Sequence, residues 1–191
     1  MSKITITIYI WSAFWIYWIL SAINTRSKVR KESSGQKGSQ RAFHLIFVVI
    51  AFIITFFQFE NIFLWNKIIP HTPSVESIGI IILILSLLFA IWARLVLGMN
   101  WSGAIQKVAG QRLVCSGPYK YIRNPIYTGV VFGFLGNFIV FGTIASLIGF
   151  VLILFVYVLK ISKEQKFLVE EFGDEYKAYI ARSWALIPFV F

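Results

Sequence analysis

The sequence predicts an all-α, polytopic membrane protein with five transmembrane helices and a cytoplasmic, amphipathic helical cap at its C-terminus. Of its 191 residues, 58% are hydrophobic and 18% are aromatic, and the mean hydropathy is +0.76. A soluble globular domain of this length needs much more polar surface than such a composition provides. We therefore expect a single membrane domain over residues 1–191, with the lipid bilayer as its surroundings.

Three apolar stretches are each long enough for one membrane-spanning helix. A helix needs about 20 mostly apolar residues to cross the hydrocarbon core of a bilayer. The stretches that reach this length lie at about 4–23, 42–65 and 77–98. They predict the first three spans.

The last apolar stretch predicts a helical hairpin. It runs from Ile126 to Leu159 without a charged residue, which is too long for one span and short for two. A tight turn near Asn137 to Thr143 divides it best. The resulting fourth and fifth spans lie at about 126–141 and 143–160.

The distribution of basic residues predicts the orientation of the chain. Loop 24–41 has six basic residues and one acidic residue, and segment 98–124 has four basic residues and no acidic one. Short loop 66–76 has only Lys67 and Glu76 as charged groups. Because cytoplasmic loops retain positive charge, we expect the N-terminus outside and the C-terminus in the cytoplasm. Orientation and attraction to anionic headgroups explain the basic excess, so no nucleic-acid partner is expected.

The segment after the fifth span predicts two short helices with a sharp joint. Apolar and aromatic residues recur there near helical spacing, which favours a membrane-facing amphipathic cap; they are Phe167, Leu168, Phe172, Tyr176, Tyr179 and Ile180. Gly173 suits the end of one helix, and Asp174 suits the N-cap of a second helix that ends before Pro188. The cytoplasmic elements are thus predicted at 99–125 and 160–191.

Metal chemistry is not expected in this chain. Cys115 is the single cysteine, and His44 and His71 are the two histidines. One cysteine excludes an intrachain disulfide and any site with several cysteine ligands.

The start of the fourth span is a candidate ligand site. Asn124-Pro125 is a typical helix start, and the side chains around it are Tyr119, Tyr121, Arg123 and Tyr127. Free backbone N–H groups at a helix start favour an anionic group. Tyrosine and arginine are also common as anchors at the membrane interface, so this alternative stays open.

Lys160 and Glu164 form a second candidate pair at the inner end of the fifth span. They are four residues apart and should share one helix face. A carboxylate near the membrane boundary needs a partner, which is either a ligand group or, in a plain surface ion pair, Lys160. Arg94 lies near the inner end of the third span. At such a position the side chain of arginine usually extends to the lipid headgroups, and no functional role is assigned to it.

Several short motifs, in order, resemble the isoprenylcysteine carboxyl methyltransferase family over roughly the last 95 residues. These motifs are Trp101-Ser102-Gly103, Leu113-Val114, Gly117-Pro118-Tyr119, Arg123-Asn124-Pro125-Ile126-Tyr127-Thr128-Gly129, Glu164, Leu168, Phe172-Gly173, Tyr176, Tyr179 and Ile187-Pro188. The family belongs to a superfamily of membrane methyltransferases that also includes phospholipid N-methyltransferases. Such a set indicates the superfamily strongly and the substrate weakly.

The resemblance implies a methyltransferase that uses S-adenosylmethionine, releases S-adenosylhomocysteine and acts on a membrane-embedded prenylcysteine or other small lipophilic acceptor. By position, it implies a cofactor site at Gln106, Gln111, Arg112, Leu113, Val114, Tyr119, Asn124, Pro125, Ile126, Tyr127 and Glu164. It places the acceptor near Lys160. The residues expected to take part in the chemistry are Lys160, Glu164 and Arg123.

The chain also departs from the family pattern. Gln111 and Asn124 stand where the family usually has histidine, Gln165 replaces a second glutamate, and Ser183-Trp184 replaces Val-Pro. Glutamine and asparagine keep hydrogen-bonding capacity but do not titrate near neutral pH. The alternatives are a phospholipid N-methyltransferase, an NADPH-dependent reductase on a related scaffold, and a non-catalytic membrane module with a degenerate site.

Overall fold

A computed structural model describes residues 2–28, 31–35, 38–57, 63–101, 106–108 and 112–190. Within these ranges the regular secondary structure is helical apart from one short two-stranded ribbon. The helices are α1 (Lys3–Lys28), α2 (Gly38–Phe56), α3 (Pro73–Leu97), α4 (Pro125–Phe141), α5 (Ile144–Phe172) and α6 (Asp174–Ile180). The strands are β1 (Lys31–Gly35) and β2 (Gln106–Val108), and short 3-10 turns lie at Phe63–Trp65, Gly98–Asn100 and Gly117–Lys120.

Helix α4 lies at the centre of the bundle, between α3 and α5. Helix α1 packs on α3, and α2 packs on α5. Aromatic rings fill the space between them: Trp11 of α1 contacts Phe52 of α2 at 4.9 Å and Phe134 of α4 at 5.4 Å between ring centroids. The Trp11 Nε1–H donates to Asn137 Oδ1 at 3.2 Å. This hydrogen bond gives the fully buried Asn137 amide oxygen a partner. These contacts hold the second half of α4 against α1 and α2.

The predicted helical hairpin is present, with a two-residue turn between α4 and α5. Gly142 ends α4 in a left-handed conformation at φ 63°, which glycine adopts without steric cost. Thr143 then caps α5: its Oγ1 accepts from Ser146 N at 3.2 Å, and Ser146 Oγ accepts from Thr143 N at 3.1 Å. This reciprocal capping box explains the sharp reversal within the apolar run.

Three helices within the described ranges are long and apolar enough to cross a membrane by length and composition. They lie at Lys3–Thr25, Pro73–Asn100 and Ile144–Phe172. The apolar helices Ala42–Phe56 and Pro125–Phe141 are shorter. The chain is therefore an integral membrane protein by its helices, and the count of five spans stays a prediction.

The two largest differences from the predicted boundaries lie at the ends of α2 and α5. Helix α2 ends at Phe56 rather than near Trp65, and the sequence beyond it is interrupted by Gln58, Glu60 and Asn61. Helix α5 does not stop at Lys160 but continues to Phe172. Residues 160–172 contain no glycine or proline, so nothing breaks the helix before Gly173.

The capping at the joint between α5 and α6 also differs from the prediction. Gly173 ends α5 as predicted, with its N–H donating to Val169 O, but it is Gly173 that also occupies the N-cap of α6. Asp174 therefore lies inside the first turn rather than at the N-cap. Its Oδ1 accepts from Lys177 Nζ at 2.8 Å, an exposed pair within one helical turn.

The antiparallel β1–β2 ribbon was not predicted, and it joins the two basic loops at the same end of the bundle. The short loop 66–76 lies at the other end, where Ile68 N donates to Gly142 O at 2.6 Å in the α4–α5 turn. The two basic segments thus share one side, as the charge pattern requires. Which side faces the cytoplasm stays a prediction.

Candidate active site

A pocket opens at the end of the bundle where α4 begins. The empty space within it, including the open solvent at its mouth, is about 870 Å³. The wall consists of the end of α3, the segment before α4, the second half of α5 and helix α6. The lining residues are Leu97, Asn100, Trp101, Arg112, Leu113, Val114, Tyr119, Arg123, Asn124, Ile126, Tyr127, Glu164, Phe167, Leu168, Phe172, Tyr176 and Tyr179.

The first turn of α4 borders this pocket and has no side-chain cap. Pro125 occupies the first helical position, and Asn124 occupies the N-cap. Asn124 does not cap the helix, because its Nδ2 donates to Ala185 O at 2.8 Å instead. The uncapped first turn and its positive dipole end favour an anionic ligand group.

Arg123 joins the start of α4 to the C-terminal segment. Its Nη1 donates to Ile180 O at 3.2 Å and to Ser183 O and Oγ. Its backbone N–H donates to Trp184 O at 2.8 Å. Burial lowers the pKa of the guanidinium, and its Nε is buried without a hydrogen-bond partner among the described residues. Arg123 thus supports the pocket wall, and its direct role in chemistry stays a prediction.

Tyr127 and Glu164 connect α4 to α5 across the pocket. The Tyr127 hydroxyl donates to Glu164 Oε2 at 2.8 Å. The Tyr127 ring also stacks on the Tyr157 ring, with 4.7 Å between centroids, and the Lys160 Nζ lies 4.8 Å from the Tyr127 ring centroid. Lys160 is not among the residues that line the pocket.

Three buried tyrosines, two of them on α6, form one wall of the pocket. The Tyr179 hydroxyl donates to Tyr119 O at 2.5 Å, which holds α6 against the segment before α4. Tyr176 packs edge-on against Tyr179. Burial raises the pKa of Tyr176 to about 12, and it also raises the pKa of Tyr119 and Tyr179. This wall is therefore uncharged at neutral pH.

The raised tyrosine pKa values predict that stability falls in strong alkali. In the unfolded chain Tyr176 loses its proton near pH 10, whereas in the folded protein it keeps it to about pH 12. The contribution of Tyr176 to the free energy of unfolding is thus fully present below pH 10 and is lost as the pH rises through 12. We expect the melting temperature to fall between pH 10 and 12, and to fall less in Tyr176→Phe. Tyr121→Phe, at an exposed position, is the control; an equal fall in all three proteins would contradict the assignment.

Arg94 lies behind the pocket and does not extend to the headgroups as its position suggested. It is only 3% exposed. Its guanidinium donates to Gly98 O at 3.0 Å and to Thr25 Oγ1 at 2.6 Å, and it stacks 4.3 Å from the centroid of the Trp101 ring. Because Trp101 lines the pocket, Arg94 ties α1 and α3 to the pocket wall. Neighbouring carbonyl and hydroxyl groups accept hydrogen bonds from its two terminal nitrogens, while its Nε is buried without a partner among the described residues.

The structure brings most of the predicted site residues together. Those in the lining are Arg112, Leu113, Val114, Tyr119, Arg123, Asn124, Ile126, Tyr127 and Glu164. Pro125 is buried at the helix start, outside the lining. Gln111 lies outside the described residues, and so does the side chain of Gln106, whose backbone forms part of β2.

The apolar stripe of the C-terminal segment has a different environment from the predicted one. It was expected to face the membrane, but the structure places five of its members in the pocket lining: Phe167, Leu168, Phe172, Tyr176 and Tyr179. The helical spacing was correct. An apolar stripe is buried equally well against protein or lipid, so its spacing alone does not show which of them it contacts. After the joint at Gly173, α6 contributes Tyr176 and Tyr179 to the pocket lining.

The sequence analysis also missed Asn100, which lines the pocket. Its Oδ1 accepts a hydrogen bond from Arg112 N at 3.0 Å.

Among the described residues, no group of three or more His, Cys, Asp or Glu side chains could hold a metal ion. Among the described residues that line the pocket, Glu164 is the single carboxylate, with hydroxyl, amide and aromatic groups around it. It is suited to an organic ligand with both polar and flat apolar parts.

Comparison with known proteins supports the resemblance seen in the sequence. The profile of the phospholipid methyltransferase family matches residues 75–175. The fold is similar to the eukaryotic intramembrane Ras methyltransferase, isoprenylcysteine carboxyl methyltransferase, with a TM-score of 0.57 and 22% sequence identity. That match covers 81% of this chain and 54% of the other, so the chain spans about half the length of that structure.

Two similar sequences extend the comparison. The uncharacterised protein YpbQ of Bacillus subtilis is 29% identical, over 61% of this chain and 74% of that protein. The protein-S-isoprenylcysteine O-methyltransferase of Schizosaccharomyces pombe is 34% identical over 79 residues, which are 41% of this chain and 34% of the enzyme.

Proposed function

Since the family profile matches more than half of its residues, the chain belongs to the phospholipid methyltransferase family, and we propose that it is a methyltransferase that uses S-adenosylmethionine. We further propose that it methylates the carboxylate of a membrane-embedded, isoprenylcysteine-like acceptor. The observation that carries the proposal is the pocket at the start of α4, with Glu164 and Tyr127 joined across it.

The residues of the pocket fit the parts of S-adenosylmethionine. Glu164 would bind the ammonium group or the ribose hydroxyls, because a carboxylate accepts strong hydrogen bonds from either. The uncapped first turn of α4 would bind the amino-acid carboxylate. The backbone of Leu113 and Val114 would contact the adenine, beside the aromatic wall.

Methyl transfer to a carboxylate requires alignment more than proton transfer. When bound, S-adenosylmethionine supplies an electrophilic methyl group: a carboxylate oxygen forms the new O–CH₃ bond, and the electron pair of the broken C–S bond stays on sulfur. The chain's contribution is then to orient the acceptor, to exclude water and to place charge. Lys160 would hold the ionised carboxylate by a charge-assisted hydrogen bond, and no catalytic base is required.

The departures from the family pattern are consistent with this acceptor. Asn124 is engaged with Ala185 O, a contact that connects the start of α4 to the C-terminal segment. Its role is thus to hold the wall, and a carboxylate acceptor needs no titrating group at this position. The basic end of the bundle, by its charge, is proposed to face the cytoplasm.

A phospholipid amine is the second candidate acceptor, because the family whose profile matches is named for it. An amine must lose a proton before or during methylation, and Gln111 and Asn124 cannot accept it. An amine acceptor therefore needs a proton-accepting group in the pocket, whereas a carboxylate acceptor does not.

The decisive experiment is calorimetric titration of S-adenosylhomocysteine, and separately of NADPH, into the detergent-purified protein. We expect saturable binding of S-adenosylhomocysteine alone. Binding of NADPH alone would indicate the reductase, and a folded protein that binds neither would indicate a non-catalytic module. Transfer of radiolabelled methyl to N-acetyl-S-farnesylcysteine, compared with phosphatidylethanolamine, then identifies the acceptor.

A further inference from the structure

A short turn at the end of α3 places Asn100 in the wall of the pocket. The 3-10 turn Gly98–Asn100 follows α3 directly, and both Asn100 and Trp101 line the pocket. Gly98 O accepts hydrogen bonds from the Arg94 guanidinium at 3.0 Å and from Trp101 N at 3.3 Å. The same guanidinium lies over the Trp101 ring. The buried Arg94 thus holds the turn, and a polar side chain on a held turn is suited to contact a ligand.

The side-chain amide of Asn100 has one end engaged with the backbone and one end that can donate. Its Oδ1 accepts a hydrogen bond from Arg112 N at 3.0 Å. Because a backbone N–H only donates, the oxygen is the end that meets Arg112, and the Nδ2 group with its two N–H donors is the other end. In this orientation Asn100 supports the chain and still has a donor for a ligand.

The position of Asn100 fits the purine ring of the methyl donor. Arg112 directly precedes Leu113 and Val114, whose backbone is proposed to contact the adenine. Trp101, next to Asn100 in the chain, adds an aromatic ring to the same pocket lining. Adenine has ring nitrogens that accept hydrogen bonds, and the amide of asparagine is a common partner for them. An N–H donor beside this segment therefore matches the purine.

We propose that Asn100 is a specificity-determining residue, whose Nδ2–H donates a hydrogen bond to a ring nitrogen of the adenine. This inference rests on the proposed function and deepens it by assigning a side chain to the purine end of the pocket. Through Oδ1 the same amide positions the segment that begins at Arg112. Glu164, on α5, is then left for the ammonium group or the ribose of the cofactor.

Two substitutions of Asn100 separate the donor from the acceptor. Asn100→Asp keeps an oxygen for Arg112 N and replaces the donor by a second acceptor, whereas Asn100→Ala removes both. We expect both variants to bind S-adenosylhomocysteine about 10-fold more weakly than the wild type, because a ring nitrogen is left without its partner. This ligand has no sulfonium charge, so the added carboxylate acts on it mainly through the lost hydrogen bond. The melting temperature should fall only in Asn100→Ala.

Three analogues of S-adenosylhomocysteine test the contact with the purine directly. They are the 1-deaza, 3-deaza and 7-deaza forms, each with a C–H group in place of one ring nitrogen. In calorimetry with the detergent-purified protein, we expect one of them to bind the wild type about 10-fold more weakly than S-adenosylhomocysteine. It should lose this disadvantage in Asn100→Asp, because the two changes remove the same hydrogen bond. A contact of the purine with the backbone would persist in that variant.

Asn66→Asp is the matched control for the change from an amide to a carboxylate. Asn66 is exposed in the loop at the other end of the bundle. This variant should bind S-adenosylhomocysteine and the three analogues as the wild type does.

The outcomes distinguish this inference from the proposed function. Wild-type affinity for S-adenosylhomocysteine in Asn100→Asp would overturn the donor role, and so would analogues whose disadvantage is the same in both proteins. If no analogue binds the wild type more weakly than S-adenosylhomocysteine, the inference fails whatever the stability of the variants. A wild-type protein that binds no S-adenosylhomocysteine would refute the proposed function itself, and this inference with it.

Discussion

Replacement of Glu164 by glutamine is expected to weaken S-adenosylhomocysteine binding about 10- to 100-fold, because one charge-assisted hydrogen bond contributes about 1.5–3 kcal/mol. Glu164 is the single carboxylate among the lining residues that the structure describes. Tyr127 donates to its Oε2, which leaves Oε1 for a cationic or hydroxyl group of the ligand. Glutamine keeps the size of the side chain and removes its charge. The measurement is the dissociation constant by calorimetry.

Two further variants make this prediction specific. Glu170→Gln removes a carboxylate from the same helix at an exposed position, and it should bind S-adenosylhomocysteine as the wild type does. Tyr127→Phe removes the hydroxyl that holds Glu164 but leaves the charge, so a smaller loss is expected. Wild-type affinity in Glu164→Gln would refute the role of this carboxylate.

The sequence was sufficient to predict the helices with strong local signals. Pro125 marks the start of α4, and Gly142 with Thr143 marks the turn into α5. In each case a local backbone preference and a local hydrogen bond determine the boundary. These features are encoded within a few residues, so single-sequence reasoning finds them.

Contacts between distant segments could not be predicted in the same way. The strand β1 contains Ser33, Ser34 and Gly35, which have low strand propensity, and only pairing with β2 makes it a strand. The backbone of Ile122 likewise pairs with Trp184, sixty-two residues later. Neither pairing has a local signature.

The sequence predicted the polar residues of the candidate site, but it did not predict the apolar and aromatic residues that line the pocket. Glu164, Tyr127 and Asn124 were identified from their positions at helix ends and from the family resemblance. Phe172 and Tyr176 were assigned to the membrane, because periodicity gives the face of a helix but not its neighbour.

The close contact between α3 and α4 leads to the second large expected effect. At Gly136 an added Cβ would lie 2.8 Å from both Gly79 O and Leu83 N, and at Gly129 it would lie 2.5 Å from Ser86 O. Backbone atoms cannot move aside as a side chain can, so the helices must separate. We expect Gly136→Ala and Gly129→Ala each to destabilise the protein by about 1–3 kcal/mol, the usual range for overpacking.

Gly133→Ala is the matched control on the same helix. Its Cβ would lie 3.2 Å from Trp11 and 3.3 Å from Leu87, both side-chain contacts that a small shift relieves. Its melting temperature in detergent should therefore remain near that of the wild type. Equal losses at all three positions would mean that helix propensity or lipid packing, rather than the α3–α4 contact, determines the effect.

The two tight glycines should also differ in their effect on the site. Gly129 lies two residues after Tyr127, within the first turns of α4, whereas Gly136 lies near the opposite end of that helix. Separation of α4 from α3 at Gly129 displaces the uncapped first turn and the partner of Glu164. We therefore expect Gly129→Ala to weaken S-adenosylhomocysteine binding as well as stability, and Gly136→Ala to lower stability with binding retained. If binding falls equally in both, α4 moves as a rigid unit and the pocket depends on its whole length.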